Sequence, residues 1–472
     1  MSAISIVWFR RDLRLEDHPA LSAALASGHR VVPVFVHDPA DRDPWAAGAA
    51  SRWWLHHSLQ SLIRALRLQG SDLVLRRGDA AQELVRLVRE TGATAVHWNH
   101  TCTAAESLRE ERVLQALAPT AAIIASHHAD LLYEPDQVRT RDGHYRVFTP
   151  YWKACLRQPP PRKPLAAPKT VPGPEVWPRG EPLQAMKLLP VPDWADGLRA
   201  AWQPGEAGAR LRLEDFAARV SEYGVTRDQL NVDGTSRLSP HLHFGEISPH
   251  RIWPSLVCDA GAAAFRRQLG WREFGHQLLW HAPHTVQEPM RPEFAGFPWI
   301  DDAASLRLWQ CGRTGYPLVD AGMRELWTTG WMHNRARMVA ASFLVKDLLI
   351  PWQEGARWFW DTLVDADLAN NTLGWQWVAG CGADAAPFFR IFNPVAQGRR
   401  YDPGGHYVRR WLPELKALPD QWLHAPWEAP DPVLRAAGVA LGHDYPLPII
   451  DHGFARQRAL AALQQLRRQT RR

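Results

Sequence analysis

Residues 4–9 read Ile-Ser-Ile-Val-Trp-Phe, and this short apolar run sets the pattern for the first quarter of the chain. Its length and its β-branched and aromatic residues predict a buried strand. The segment DLRLEDHPALSAALASG (12–28) then predicts a helix that ends at Gly28, and VVPVFVHD (31–38) predicts a second strand. A strand, a helix and a second strand in this order indicate parallel pairing.

The same alternation continues to about residue 130. RWWLHHSLQSLIRALRLQG predicts a helix ending at Gly70, and DLVLRRG, DAAQELVRLVRETG and TAVHWN predict strand, helix and strand. A helix near 104–118 and the strand AAIIASHH complete the series. Residues 1–130 are therefore predicted to form an α/β domain with a doubly wound parallel sheet.

The character of the chain changes twice after this domain. Residues 158–192 are rich in proline and have no hydrophobic period, which predicts an extended interdomain linker, placed here at 131–194. From 195 to 472 the apolar residues recur at helical spacing, as in AGAAAFRRQLGWREFGHQLLWH. The expected fold is thus an α/β domain, a long proline-rich linker and a C-terminal all-α domain.

Composition narrows the function. The 472 residues carry a net charge of +6, which suits a polyanionic partner such as nucleic acid. Five scattered cysteines without a CxxC motif indicate a reducing, cytoplasmic setting, and no apolar run is long enough to span a membrane. The 24 tryptophans indicate either extensive aromatic packing or a use for indole rings.

Common cofactor motifs fail in context. The letters from Gly380 to Ala385 match GxGxxA, but they follow a helical stretch instead of a strand. His241 with His243, and Asp365 with Asp367, have no further ligands at metal spacing. No phosphate loop or HExxH motif is present, so a cofactor is expected in the helical domain.

Long stretches of the helical domain resemble the DNA photolyase/cryptochrome family. They are GTSRLSPHLHFGEIS (234–248), WREF (271–274), TGYPLVDAGMREL (314–326), TGWMHNRARM (329–338), FLVKDLL (343–349), DADLANNTLGWQW (365–377) and FFRIFNPVAQG (388–398). WFRRDLRLEDHPAL (8–21) is similar to the family's opening. The chain looks most similar to class I cyclobutane pyrimidine dimer photolyases. This resemblance implies an antenna-type α/β domain and a helical domain that binds FAD.

The resemblance also implies a set of FAD-binding residues. Backbone N–H groups and hydroxyls just before a helix can bind a pyrophosphate, although a plain helix cap is the ordinary use of such residues. An Arg337–Asp365 ion pair is expected beside the isoalloxazine, with Asp367 at its polar edge and Asn371 facing N5. The other implied FAD-binding residues are Tyr223, Thr235, Ser236, Arg237, Leu238 and Ser239.

Three tryptophans fall at the positions of the family's electron-transfer chain. Trp375 corresponds to the indole next to the flavin, and Trp352 and Trp299 continue the chain outward. Indole is oxidisable and delocalised, so closely spaced rings can pass a hole to the surface. For most of the other tryptophans, core packing is the preferred interpretation.

A second group of residues matches the pocket for a flipped lesion. The aromatic residues Trp271 and Trp377 can stack on the lesion, and Asn334 and Met338 match the cyclobutane-dimer pattern. The (6-4) photolyases carry a second histidine where Asn334 stands, so His333 alone does not supply their pair. Candidate phosphate contacts are Arg227, Arg335 and Arg399, with a solvated surface arginine as the alternative for Arg399.

Two positions depart from the family pattern. Gln268 stands where cyclobutane-dimer photolyases carry glutamate, so this residue can donate a hydrogen bond through its amide but cannot act as an acid. After TAVHWN the chain reads Asn99, His100, Thr101, Cys102, Thr103, and Thr103 replaces the glutamate that holds a folate antenna in some members. A folate, a deazaflavin, another chromophore or no antenna therefore remain open.

The predicted function is light-driven repair of cyclobutane pyrimidine dimers in DNA by a monomeric FAD enzyme, a deoxyribodipyrimidine photo-lyase. A cryptochrome-like blue-light receptor is the first alternative, and Gln268 and the altered antenna motif favour it slightly. A (6-4) photolyase is the second alternative. A plain nucleic-acid-binding module is the least favoured interpretation, because it would carry no flavin.

Overall fold

The computed structural model of the protein describes residues 3–39, 44–141, 143–384 and 389–470. The chain forms two compact units. The first comprises Met1–Ser221 and Ser236–Pro283, and the second comprises Glu222–Thr235 and His284–Arg472. The first unit therefore includes the proline-rich segment and several helices in addition to the sheet.

The first unit contains a five-stranded parallel sheet in the order β3-β2-β1-β4-β5. Its strands are β1 (Ile4–Phe9), β2 (Arg30–His37), β3 (Val74–Arg77), β4 (Ala95–His100) and β5 (Ile123–His128). Because the strand order reverses between β1 and β4, the sheet is doubly wound, as predicted. Both faces of the central strands are buried, which explains their nearly continuous apolar sequences.

Helices cover this sheet and extend the first unit beyond it. They are α1 (Pro19–Ala26), α2 (Ala49–Leu68), α3 (Ala80–Thr91), α4 (Ala104–Leu117), α5 (Phe148–Cys155), α6 (Asp196–Ala201), α7 (Glu206–Arg219), α9 (Ser239–His243), α10 (Pro249–Ser255) and α11 (Ala260–His281). Every predicted strand and helix of the α/β domain is present. The combination of a parallel sheet with a long helical region confirms the predicted fold class.

The first predicted helix is wrong at its start. It was expected to begin at about residue 12, but α1 begins at Pro19. Asp12 instead accepts a hydrogen bond from the Arg10 backbone N–H (2.6 Å), and Asp17 is left-handed, with φ of 54°. Such local side-chain bonds compete with helix formation, and His18 then caps the helix by accepting from the Leu21 N–H.

The proline-rich segment lies along the edge of the sheet. The Val31 N–H donates to the Pro172 carbonyl, and the Glu181 N–H donates to the Leu75 carbonyl on edge strand β3, both at 2.8 Å. These bonds satisfy backbone groups that an edge strand would otherwise expose. The segment is therefore extended but held against the first unit.

A buried charged cluster closes the carboxyl ends of β1 and β4. Arg10 pairs with Glu110 (2.6 Å) and with Glu106 (3.1 Å), and His100 lies 2.8 Å from Glu110. Burial opposes ionisation of Glu110, but the hydrogen bond from His100 and the charge of Arg10 outweigh it and lower its pKa to about 2. Buried charges of this kind persist only when paired.

The second unit is helical over its described residues. Its helices are α8 (Tyr223–Thr226), α12 (Ala303–Gln310), α13 (Pro317–Thr329), α14 (Asn334–Ser342), α15 (Trp352–Thr362), α16 (Leu368–Ala379), α17 (Pro394–Tyr401), α18 (His406–Trp411), α19 (Asp420–Leu423), α20 (Asp431–Ala437) and α21 (His452–Thr470). Apolar residues recur at helical spacing throughout 322–349, but the helix is broken between α13 and α14. Gly330 ends α13 in the left-handed conformation, and His333 caps α14.

Two further findings concern the setting of the protein. Among the described helices, none has both the length and the apolar composition needed to cross a membrane. All five cysteines are described, and each is a free thiol. The scattered cysteines therefore do not form a disulfide framework, as expected from their spacing.

Replacing Arg10 with methionine should lower the free energy of unfolding by about 3 kcal/mol at pH 7, because two buried carboxylates lose their cation. The folded pKa of Glu110, about 2, lies below its ordinary value of 4.5. The contribution of Glu110 to the free energy of unfolding is thus present above pH 4.5 and is lost as the pH falls toward 2. Urea unfolding should show this loss in the wild type and a smaller one in Arg10→Met.

The exposed pair Arg67–Asp72 supplies the control. Arg67→Met should change the free energy of unfolding by less than about 0.5 kcal/mol, because exposed pairs contribute little. Equal effects of the two substitutions would contradict the structural importance of the Arg10 cluster.

Candidate functional site

Helix α16 carries three of the predicted functional residues: Asn371, Trp375 and Trp377. Asp367 caps its N-terminus by accepting a hydrogen bond from the Asn370 N–H (2.9 Å). Near its other end, Gln376 donates to the Thr285 and Glu288 carbonyls and accepts from the Met290 N–H. The helix is therefore held firmly at both ends, which fixes the side chains between them.

Arg337 and Asp365 form the predicted ion pair. One terminal nitrogen of Arg337 donates to both carboxylate oxygens of Asp365, at 3.0 and 2.8 Å, and its Nε donates to the Met332 carbonyl at 2.7 Å. The Asp365 side chain is only 4% exposed. A carboxylate this deeply buried requires such a partner, so the pair fits a site beside a polar cofactor edge.

Asn371 is half-buried in the first turns of α16. Its amide nitrogen donates to the Ala356 carbonyl at 3.2 Å. Within the described residues, its amide oxygen accepts no hydrogen bond. An amide whose nitrogen is held by a carbonyl and whose oxygen is free can accept a hydrogen bond from a flavin ring N–H.

The three predicted electron-transfer tryptophans differ in burial. Trp375 and Trp352 are 3% and 2% exposed, whereas Trp299 is half-buried and packs against Phe297 with a centroid distance of 4.4 Å. Trp375 meets the ring of Phe359 edge-on at 5.0 Å. Trp299 is therefore the most exposed of the three, whereas burial does not separate Trp375 from Trp352.

Sequence reasoning missed Gly355 as part of this group. A Cβ at Gly355 would overlap the six-membered ring of the Trp375 indole, so only glycine allows α15 to approach α16 this closely. Trp309 was also missed. It is fully buried, lies 6.3 Å from Trp375 and donates its indole N–H to the Ala340 carbonyl. A glycine inside an aromatic helix was the available signal for close packing.

Tyr223 and two of the predicted phosphate-binding arginines form one cluster. The guanidinium of Arg227 lies 5.3 Å from the centre of the Tyr223 ring. Arg335 pairs with Asp228 (2.9 Å) and lies 4.1 Å from the Tyr401 ring centre. Arg335 is thus largely buried and already paired. Arg399, by contrast, is exposed and pairs weakly with Glu428 at 3.4 Å.

The structure brings Asn334 and Met338 together on one turn of α14. The Asn334 amide nitrogen lies 3.6 Å from the Met338 sulfur, as expected for residues four apart on a helix. Asn334 itself is exposed. Trp377 is half-buried, with the Arg390 guanidinium 5.6 Å from its ring centre, and it lines a cavity of about 250 Å³ in the second unit.

The predicted pyrophosphate segment has an unusual backbone. Arg237 adopts a left-handed conformation, with φ of 50°, and the Leu238 N–H donates to the Ser236 hydroxyl at 3.3 Å. Ser239 begins the short helix α9, and Thr235 closes the first segment of the second unit. Left-handed non-glycine residues cluster at ligand-binding sites, so this conformation supports a functional interpretation of the segment.

Gln268 and Trp271 lie three residues apart on α11 in the first unit. The Gln268 amide nitrogen donates to the Ala264 carbonyl of its own helix at 3.3 Å. The indole of Trp271 is half-buried and stacks on the ring of Phe148. Both side chains are therefore oriented by contacts within their own unit.

The altered antenna motif has structural roles. Asn99 accepts from the Ala20 N–H at 3.1 Å and donates to Asp12 at 2.8 Å. Thr103 caps α4 by accepting from the Glu106 N–H at 3.4 Å. The substitution at 103 is thus compatible with the fold, and it leaves the antenna chromophore open.

The GxGxxA letters and His241 have structural roles in the fold. Gly380 ends α16 with φ of 89°, so the GxGxxA letters follow a helix, and Ala385 lies outside the described residues, as does Phe388 of the FFRIF motif. The imidazole of His241 lies against the buried carboxylate of Glu246. Over the part of the chain that the structure describes, no group of three or more possible ligands could hold a metal ion.

Comparison with known proteins gives matches over most of the chain. Residues 265–465 match the model of the FAD binding domain of DNA photolyase, and residues 5–169 match the DNA photolyase model. The chain is 46% identical to the deoxyribodipyrimidine photo-lyase of Agrobacterium fabrum over 98% of both chains. It is also 41% identical to Cryptochrome-1 of Arabidopsis thaliana, over 98% of this chain and 70% of the relative.

A solved structure is equally similar. The crystal structure of a class III photolyase from Agrobacterium tumefaciens superposes with a TM-score of 0.95 at 46% identity, covering 99% of this chain and 98% of the other. The chain therefore belongs to the DNA photolyase/cryptochrome family. FAD as cofactor and a photolyase-type enzyme are confirmed at this level. The expected similarity to class I is not supported, because this solved structure is of class III.

Replacing Gly355 with alanine should displace the Trp375 indole, because the added methyl would overlap its ring. We expect a loss of about 1–3 kcal/mol in the free energy of unfolding. We also expect at least a severalfold slower photoreduction of the bound flavin. Thermal unfolding and the rate of flavin bleaching under blue light measure these effects.

Gly374 is the matched control, because a Cβ there meets no atom within 4 Å. Gly374→Ala should leave photoreduction unchanged and stabilise α16 slightly, by up to about 1 kcal/mol. If the flavin of Gly355→Ala is photoreduced at the wild-type rate, the close approach of α15 to α16 is not needed for electron transfer through Trp375.

Proposed function

We propose that this chain repairs cyclobutane pyrimidine dimers in DNA under blue light. The observation that carries the proposal is the pairing of Asn334 with Met338 on α14, where (6-4) photolyases have a second histidine. An amide and a thioether offer hydrogen bonding and apolar contact to a pyrimidine dimer, but no proton-transfer group.

The state of His333 supports the same choice of lesion. Burial lowers the pKa of His333 to about 4, so its imidazole is neutral at physiological pH. Its Nδ1 accepts a hydrogen bond from the Arg335 N–H at 3.1 Å, which also ties the ring to the helix start. A neutral, capping imidazole is a poor proton donor, so a (6-4) photolyase is disfavoured.

When bound in its reduced form, FAD would supply the light-driven loan of one electron on which the proposed reaction depends. The two carbon–carbon bonds that join the pyrimidines break, so two bases are restored without net oxidation or reduction. Arg337, Asp365, Asp367 and Asn371 are proposed to hold the ring edge, with Tyr223 and residues 235–239 binding the rest of the cofactor. Trp375, Trp352 and Trp299 are proposed to pass electrons inward from the surface.

Five residues are proposed as lesion contacts. Trp271 and Gln268 on α11 belong to the first unit, and Asn334 and Met338 on α14 and Trp377 on α16 belong to the second. The Gln268 amide can donate to a pyrimidine carbonyl and so stabilise charge that develops there. The Gln268 amide stabilises this charge without gaining or losing a proton itself. Repair should therefore need no protonated carboxyl at this position.

DNA binding is proposed to rely on arginine. The net charge of +6 favours a polyanion, and the exposed Arg399 can exchange its weak pair with Glu428 for a phosphate. Arg227 and Arg335, which contact Tyr223 and Asp228 respectively, are proposed as further phosphate contacts, and Arg335 would have to exchange its pair with Asp228 for a phosphate. We further propose that the protein acts as a cytoplasmic monomer, in line with its five free thiols.

The class of photolyase and a receptor role are separate questions. The similarity to a class III structure favours assignment to that class. A cryptochrome-like receptor is the second candidate, favoured by Gln268 and by the 41% identity to Cryptochrome-1. The two candidates share the flavin site and differ in whether the lesion is repaired.

The decisive experiment is a repair assay. The purified flavoprotein is photoreduced and mixed with an oligonucleotide carrying one thymine dimer under blue light, and chromatography follows the restored thymines. A dark sample and an oligonucleotide carrying a (6-4) product are the controls. Light-dependent repair of the dimer alone supports the proposal, whereas dimer binding without repair would move the assignment to a receptor.

Gln268 leads to a pH test. The wild type should repair at a rate that changes little between about pH 5.5 and 8.5, because the Gln268 amide does not titrate. Gln268→Glu should remain active at low pH and lose activity as its carboxyl ionises, since only the protonated acid donates a hydrogen bond. Gln268→Met, of similar size but without a donor, should be severalfold slower at every pH. Identical pH profiles for the wild type and the Gln268→Glu variant would contradict this role.

A further inference from the structure

Phe148, the first residue of α5, stacks face to face on Trp271 of α11. The ring centroids are 3.8 Å apart and the planes differ by only 6°. Phe148 is completely buried, with 0% of its surface exposed, whereas Trp271 is half-buried. One face of the Trp271 indole is therefore covered by Phe148, and its exposed surface lies elsewhere on the ring.

Neighbouring side chains hold the Phe148 ring in place. The Arg267 guanidinium lies 4.9 Å from the Phe148 ring centre. Phe274 meets both Phe148 and Trp271 edge-on, with each centroid distance 5.8 Å. Stacked and edge-to-face contacts of this kind have defined geometry, so the plane of Trp271 is fixed before any ligand arrives.

The backbone also keeps α5 against α11. Gly270, just before Trp271, has no side chain, and a Cβ there would overlap the indole of Trp152 on α5. Glu273 accepts hydrogen bonds from the Leu132 and Tyr133 N–H groups, at 2.8 and 3.1 Å. The close approach at Gly270 therefore packs α5, which carries Phe148, against the helix that carries Trp271, and Glu273 ties that helix to residues 132 and 133 as well.

We propose that Phe148 is a positioning residue for lesion recognition. It holds the Trp271 indole in one plane and leaves a single face for stacking, so a flipped pyrimidine dimer meets a preformed surface. Because the ring is already ordered, binding does not incur the entropy cost of immobilising it. This inference rests on the proposed function, because it concerns how that lesion is bound.

The test compares three variants in a dark binding assay. Phe148→Leu keeps an apolar side chain but removes the flat ring, and it should weaken binding of a thymine-dimer oligonucleotide about three- to tenfold. Binding of the undamaged oligonucleotide should not change. Phe148→Tyr retains the ring and should restore most of the affinity.

Phe9→Leu is the matched control, because Phe9 is also 0% exposed in the first unit but lies on β1, where its ring packs on His18 with a centroid distance of 4.5 Å. It should bind the dimer within about twofold of the wild type, since the face-to-face stacking of Phe148 on Trp271 is retained. Flavin absorption, flavin content and the thermal unfolding midpoint establish that each variant is folded. A general loss of stability would affect both leucine variants alike.

The outcomes are distinguishable. Selective loss of dimer affinity in Phe148→Leu, with recovery in Phe148→Tyr, supports the inference. Wild-type affinity in Phe148→Leu, or equal losses in the two leucine variants, overturns it while the proposed function stands. A wild type that binds damaged and undamaged DNA alike overturns the proposed function, and the inference with it.

Discussion

The burial of Asp365 is the constraint that brings α14 and α16 together in the second unit. A carboxylate that is almost inaccessible to water must be paired, and Arg337 pairs with both of its oxygens. That pair requires α14 to lie beside the start of α16. A break between α13 and α14 precedes this pair, because Gly330 ends α13 in the left-handed conformation and His333 caps the start of α14.

The same principle governs the first unit, where the cluster of Arg10, Glu106 and Glu110 fills the carboxyl ends of β1 and β4. Ligands of doubly wound sheets usually bind at this position, where the strand order reverses. Here the ends are closed by the protein's own ion pairs. Chemistry is therefore expected in the helical part of the chain, in agreement with the match to an FAD-binding domain.

Aromatic packing fixes, in both units, rings that the proposed function uses. In the second unit, Gly355 allows Trp375 to pack tightly between α15 and α16, and the same burial insulates the indole from water. In the first unit, Phe148 orients Trp271. A ring that is fixed by its neighbours can act as a rigid surface or an electron carrier, because it needs little reorganisation.

Local sequence was sufficient for most of the secondary structure and for the family. Strand β1 was predicted at its observed bounds, and α11 likewise, because apolar spacing reflects which side chains face the core. Motifs such as WMHNRARM identified the candidate residues because each motif is short and contiguous. It covers only one or two helical turns, so its residues stay close together in the fold. The start of α1 was missed because Asp17 adopts a left-handed backbone that periodicity does not encode.

Contacts between distant segments depended on the tertiary structure alone. Phe148 and Trp271 are 123 residues apart, and the sequence around either residue does not indicate that the two rings stack. The overlap that excludes a side chain at Gly355 is likewise a property of two packed helices. Hydrophobic periodicity shows which face of a helix is buried, but steric fit depends on which atoms the other element brings to that face.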